Sequence, residues 1–189
     1  MKQLVDYMVA ALVLLLCCPL LLYIAIRIRM QEAGSVFYQQ ERLGKGGVPF
    51  RMVKFRTMVT DAENGTPLLA VSDDQRVTAF GRTLRKHHLD ELPQFWNVLK
   101  GDMSIVGPRP ERAWFVQQIL EKAPDYKRIF NLKPGITSLG MVKFGYANTI
   151  EKMIERSRYD LYYLEHYSFW LDVKILLATV REVWIGKGI

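Results

Sequence analysis

The chain reads as an α+β protein, with an N-terminal apolar helix broken by a proline, a small β-hairpin, and several amphipathic helices beyond it. Three observations carry that reading. Residues 7–26, YMVAALVLLLCCPLLLYIAI, contain no charged side chain. Residues 36–58 place two extended arms, VFYQQERL and VPFRMVKFRTMV, about a GKGG turn. Residues 89–110, LDELPQFWNVLKGDMSIVGPRP, set an acidic pair before an apolar helical pattern that should end at Gly101, followed by a stiff proline-rich turn.

The apolar run makes a helix of roughly 30 Å, just long enough to span a bilayer. It lacks the small-x-small site of a cleaved leader. Pro19 has no N–H to donate and its ring clashes with the Leu15 carbonyl, so the helix should break at Cys18-Pro19. The legs on either side reach only ~18 Å and ~10 Å, and neither crosses alone. Lys2 precedes the run and Arg27 and Arg29 follow it, and basic residues favour the cytoplasmic side. Two topologies fit: a re-entrant helix that leaves by the face it entered, and a kinked single span. The chain divides accordingly into an anchor, residues 1–29, and a second unit, residues 30–189.

The 189 residues carry a formal charge of +7. Such a balance suits an anionic membrane surface or an anionic substrate, and no nucleic-acid motif accompanies it, so nucleic acid is not an expected partner. The two cysteines, Cys17 and Cys18, are neighbours within the apolar run and make no disulfide framework. His87 and His88 are adjacent, do not share a helical face, and have no second cluster at zinc-like spacing.

In the second hairpin arm Lys54 and Arg56 fall on one face. Residues 61–76 are polar with Gly65 and Pro67 and read as a surface loop. Arg82, Arg85 and Lys86 cluster upstream of the acidic pair. Residues 111–130 read as a helix interrupted near Pro124, and Lys133-Pro134-Gly135 as a turn. Asn148 with Glu151 marks another helix start. Residues 158–184 are rich in Tyr and Trp with interspersed Lys and Arg, a composition that suits either the headgroup layer of a membrane or an aromatic core.

Asp90 and Glu91 point about 100° apart on a helix, yet at a helix start both can face one site. Free N–H groups there keep carboxylates ionised, and an ionised Asp can ligate Mg²⁺ or act as a nucleophile. Acidic residues also enrich first turns simply as caps. Arg109, held between Pro108 and Pro110, adds a guanidinium of little conformational freedom, which suits a phosphate.

These pieces together resemble the bacterial sugar transferases, the monotopic phosphoglycosyl transferases. The resemblance rests on the break at Cys18-Pro19, QERLGKGGVPFRMVKFRTM, GRTLRKHHLDELPQFWNVLKGDMSIVGPRP, KPGITSLG and RYDLYYLEHYSFWLDVKILL, and covers nearly the whole chain. It implies transfer of a phospho-sugar from a UDP-sugar to a polyprenyl phosphate such as undecaprenyl phosphate, with release of UMP, at the start of bacterial glycan assembly. Asp90 and Glu91 are implied as the catalytic pair and as Mg²⁺ ligands. Asp90 would form a covalent phospho-sugar intermediate, and Glu91 would serve as a metal ligand or base. Lys54, Arg56, Arg85, Arg109 and Arg158 are the candidate phosphate-binding cations. The resemblance also favours the re-entrant topology, with membrane lipid as partner and the unit on the cytosolic face of the bacterial inner membrane. Two positions depart from the family's usual pattern: Cys18 stands where a serine commonly precedes the proline, and His88 where a Ser or Thr would cap. Larger family members carry further transmembrane helices and another domain, and this chain reads as the catalytic unit alone. The rival reading is a membrane-anchored scaffold that binds anionic lipid without catalysis.

Overall fold

The computed structural model describes residues 2–31, 34–60, 62 and 74–186. It opens with α1 (Lys2–Leu16) and α2 (Cys18–Gln31), bent at 62° to one another about Cys17. The break therefore falls one residue before the Cys18-Pro19 pair. Pro19 sits in the first turn of α2, where its missing N–H forfeits no helical bond. Among the described residues no single helix is long and apolar enough to cross a membrane, and only the bent pair together has the length and composition for it.

Both legs dock on the same body. On α1, Asp6 accepts the Ser104 hydroxyl at 2.7 Å and the Ile105 N–H at 3.3 Å. Lys2 reaches Asp172 at 2.6 Å, and Asp172 also accepts the Tyr163 hydroxyl at 2.5 Å. Ala10 is buried in the core with Val98, Met103 and Val106. On α2, Ile24 and Ile28 pack with Phe55 and Leu84. Between these docking points Leu12, Leu15, Leu16 and Leu22 stand bare, Leu15 at 74% exposure.

β1 (Phe37–Leu43) and β2 (Pro49–Phe55) form the antiparallel hairpin, with Phe37 opposite Phe55 and Leu43 opposite Pro49. The GKGG segment turns the chain through a 3-10 turn at Lys45–Gly47, where Gly46 at φ 71° takes the left-handed conformation. Thr78 caps α3 (Ala79–Lys86), accepting the Gly81 N–H at 2.9 Å. A 3-10 turn at Leu89–Glu91 leads to α4 (Gln94–Lys100), which closes at Gly101 as its sequence requires, at φ 86°.

β3 (Ser104–Val106) and β4 (Gly135–Thr137) form a parallel pair. Lys133-Pro134-Gly135, which reads as a turn in sequence, instead feeds this pair: Ser104 N–H donates to the Pro134 carbonyl and Gly135 N–H to that of Pro108. A Cβ on Gly107 would lie 2.3 Å from the Lys133 carbonyl oxygen, so only glycine permits the approach. The expected interruption at Pro124 separates α5 (Ala113–Lys122) from a 3-10 stretch, Pro124–Asn131. Three helices finish the chain: α6 (Leu139–Phe144), α7 (Ile150–Glu165) and α8 (Phe169–Ile185). The cap of α7 is Thr149, one residue beyond the expected Asn148; its hydroxyl accepts the Lys152 N–H, while Asn148 holds the Lys152 ammonium. Along α8, Phe169, Trp170, Leu177, Val180 and Trp184 are exposed. Most of the polar stretch expected as a loop at 61–76 lies outside the described residues.

Candidate active site

The site lies where β2, the Leu89–Glu91 turn and the turn after β3 converge. Asn97, fully buried on α4, sets the first two in register. Its side chain accepts the Val53 N–H at 3.0 Å and donates to the Arg51 carbonyl at 2.8 Å, so β2 is tied to the helix that follows the acidic pair. That tie presents Lys54, the next residue but one after Met52, to Glu91. At the other end of the acidic turn, His88 takes a left-handed conformation at φ 54°, uncommon for a side-chain-bearing residue. Its side chain caps nothing; its carbonyl accepts the Glu91 N–H at 3.1 Å. The acidic pair therefore sits in a 3-10 turn ahead of α4 and not in the first turn of that helix, as its sequence had implied.

The two carboxylates meet different surroundings. Lys54 reaches Glu91 at 2.5 Å and Arg109 reaches the same oxygen at 3.3 Å. Burial alone would raise the Glu91 carboxyl, but these two cations outweigh it and hold the group well below the usual carboxylate range. Asp90 is buried, and among the described residues no hydrogen bond is made to its carboxylate. Burial, joined by the charge of Glu91, pushes the Asp90 carboxyl up against the opposing pull of Lys54, Arg85 and His88. Side by side, one carboxylate is neutralised by ion pairs and the other, among the described residues, accepts no hydrogen bond.

The cations nominated from the sequence divide as follows. Lys54 and Arg109 converge on Glu91. Arg85, from the last turn of α3, donates to the Thr57 hydroxyl at 2.9 Å and acts on Asp90 through its charge. Arg56 follows the end of β2 and lies against Gly34, with Ile28, Gln31, Met58 and Thr78 around it, at the foot of α2. Arg158 is exposed on α7, half a turn from the buried Arg156 and Asp160, so helical phase turns it away from the side that meets the turn after β3.

That turn is braced by residues the sequence reading did not nominate. Asp160, 3% exposed, accepts the Gly140 N–H at 2.9 Å and the Arg109 N–H at 3.4 Å. Burial raises its carboxyl to about 6 against these bonds and the nearby Arg156. Glu111 is buried between Arg156 and Arg42, 3.3 Å from the latter. Arg42 also donates to the Pro110 carbonyl at 3.2 Å. One signal was present in the sequence: Met153, Arg156, Asp160 and Tyr163 share the buried phase of α7, and charges on an apolar phase mark residues with buried work.

Among the described residues there is no group of three or more His, Cys, Asp or Glu that could enclose a metal ion. Asp90 and Glu91 alone are two hard oxygen donors. They fit Mg²⁺, which is commonly held by one or two carboxylates and completed by water and substrate phosphate; they do not fit zinc.

Residues 1–186 match the family model for Bacterial sugar transferase. The chain belongs to this family. It is 40% identical over 187 residues to the UDP-N-acetylgalactosamine-undecaprenyl-phosphate N-acetylgalactosaminephosphotransferase of Aeromonas hydrophila, an alignment covering 99% of this chain and 44% of that protein. It is 40% identical over 184 residues to a UDP-glucose:undecaprenyl-phosphate glucose-1-phosphate transferase of Caulobacter vibrioides, covering 96% of this chain and 69% of the relative. It is 40% identical over 191 residues to an uncharacterized sugar transferase of Bacillus subtilis, covering all of this chain and 90% of the relative. The chain thus spans less than half the length of the Aeromonas relative, and nearly all of the Bacillus one.

Proposed function

We propose that this sugar transferase moves a sugar phosphate from a UDP-sugar to polyprenyl phosphate, undecaprenyl phosphate in a bacterium, with Asp90 as the nucleophile. The observation that carries this is the contrast within the acidic pair: Glu91 is held by Lys54 and Arg109, while the buried Asp90 carboxylate has no hydrogen bond among the described residues. The names of the relatives supply the donor and acceptor classes.

In the first step an Asp90 oxygen attacks the β-phosphorus of the donor. A carboxylate–phosphorus bond forms, the bond from that phosphorus to the bridging oxygen breaks, and UMP leaves with the electron pair. In the second step a phosphate oxygen of the polyprenyl acceptor attacks the same phosphorus, and Asp90 is released as a carboxylate. Arg109 and Lys54 meet the charge of the diphosphate, and Arg85 favours the ionised form of Asp90. Mg²⁺, held by Asp90 and Glu91, would neutralise diphosphate charge when bound.

The same reading places the bent helix pair in one leaflet. Its two ends are docked on a single body and its bare leucines lie at the bend, which supports a re-entrant anchor over a span. The exposed aromatics of α8 suit the headgroup layer, and the body lies on the cytosolic face of the membrane. The test is direct. The protein in lipid nanodiscs, given UDP-sugars singly with polyprenyl phosphate and Mg²⁺, should release UMP for at least one donor. With labelled donor and no acceptor, label should remain on the protein and vanish in Asp90→Asn. No UMP from any donor would refute transfer and leave the anchored lipid-binding scaffold.

A further inference from the structure

We propose that Glu111 is a positioning residue for Arg109, so that the reach of Arg109 to Glu91 and to the donor diphosphate depends on the negative charge of Glu111; the second half of that statement rests on the transferase reading above. Glu111 touches neither member of the acidic pair. Its carboxylate is shared between Arg156 of α7 and Arg42 of β1. Its backbone carbonyl accepts the Leu43 N–H at 3.0 Å, and Arg42 binds the carbonyl of Pro110 beside it. The two residues after Arg109 are therefore fastened to β1 on one side and α7 on the other, while Asp160 accepts the Arg109 N–H. These contacts oppose movement of the turn that would carry the Arg109 guanidinium away from Glu91.

Arg42 and Arg156 pair with one buried carboxylate, and Arg109 lies within reach of its charge. Burial lowers the Arg42 guanidinium, and Arg109 and Arg112 lower it further, with Glu111 the chief opposing charge. Glu111 also helps hold Arg109 charged, after Glu91. Among the described residues the Nε of Arg42 is buried without a hydrogen-bond partner, so this guanidinium depends on Glu111, Pro110 and Gln40 for its compensation. Neutralising Glu111 leaves Arg42 and Arg156 without their common counter-ion and sets them against Arg109 from behind.

The experiment is a double-mutant cycle on the full chain in nanodiscs. Glu111→Gln should raise the KM for UDP-sugar ~10-fold with the acceptor KM unchanged, and in an Arg109→Lys background it should cost less than ~2-fold more. Glu111→Asp, which keeps the charge, should recover part of the loss. A residue that merely supports the fold would lower the melting temperature and cost the same factor in both backgrounds; independent factors overturn the proposal. Should Glu111→Gln not fold, Arg42→Gln, which removes the same brace from the β1 side, must show the same coupling to Arg109. Hydrogen exchange at the Arg109 Nη2–H, which faces Glu91 at 3.3 Å and is assigned by its loss in Arg109→Lys, gives a reading free of catalysis. It should be slow in the native chain and fast in Glu111→Gln, and unchanged protection overturns the proposal whether or not sugar phosphate is transferred. Absence of UMP release from the native chain, with the exchange difference present, sinks only the transferase reading.

Discussion

The bend of the helix pair and the turn after β3 bury opposite things. At the bend, Leu12, Leu15, Leu16 and Leu22 face outward, with hydrocarbon on display. At the turn, Glu111, Arg156 and Asp160 are each below a tenth exposed, with charge enclosed. Exposed leucines in water forfeit ~25 cal/mol for each Å² left wet, so the first region favours contact with an apolar medium. Buried charges are tolerated only when paired, and here each has a partner of opposite sign or an N–H to accept. In the proposed reading the difference separates two tasks in one chain, holding on to lipid and holding the charges of the site in place.

The largest expected effect falls on the second task. Asp90→Asn should lower transfer by ~10⁴-fold or more, since in the proposed mechanism its oxygen forms the bond to phosphorus, and UMP release measures it. Folding should be intact, because the side chain contributes no hydrogen bond among the described residues. The first task is broken at the bend: Leu15→Asp should weaken membrane association by ~3 kcal/mol, read as flotation with liposomes, while activity on a detergent-soluble short acceptor is retained.

Asp160 sharpens the comparison through pH. Folding raises its carboxyl from the ordinary range to about 6, so the folded state favours the protonated form. The stability tied to this group is full below pH ~4 and is lost as pH rises through 6, by ~3 kcal/mol at most. Asp160→Asn should therefore flatten the pH dependence of thermal unfolding between pH 4 and 6. A profile unchanged from the native one would refute the assignment. The smallest effect belongs to Arg85. Its charge lowers the Asp90 carboxyl, so Arg85→Gln should move the acid limb of kcat/KM to higher pH. A limb that stays in place would separate Arg85 from Asp90.

Local chemistry made much of this legible. The GKGG turn, Gly101 after an apolar phase, Pro124 and the acidic pair all act over a few residues, and the structure places each element close to where the sequence implies it. The brace was not legible, because it joins Arg42 to Glu111 and Glu111 to Arg156 across β1, a loop and α7. No local pattern encodes such pairs. Arg158 stands out in the sequence only by its place in a family-like stretch, whereas helical phase gives Arg156 the inward direction. The parallel β3–β4 pair escaped notice for a related reason: three-residue strands carry no periodicity, and a KPG segment reads locally as a turn. Likewise, both ends of the helix pair being docked on one body depends on Asp6 meeting Ser104, a partner 98 residues away.

That last contact has a consequence for depth. With Lys2 and Asp6 fastened at one end and Ile24 and Ile28 at the other, the wedge formed by α1 and α2 is rigidly referenced to the chemistry beside it. If the wedge sits in one leaflet, as proposed, these ties set the height of Asp90 above its tip, and a leaflet of the wrong thickness has to adapt to the protein.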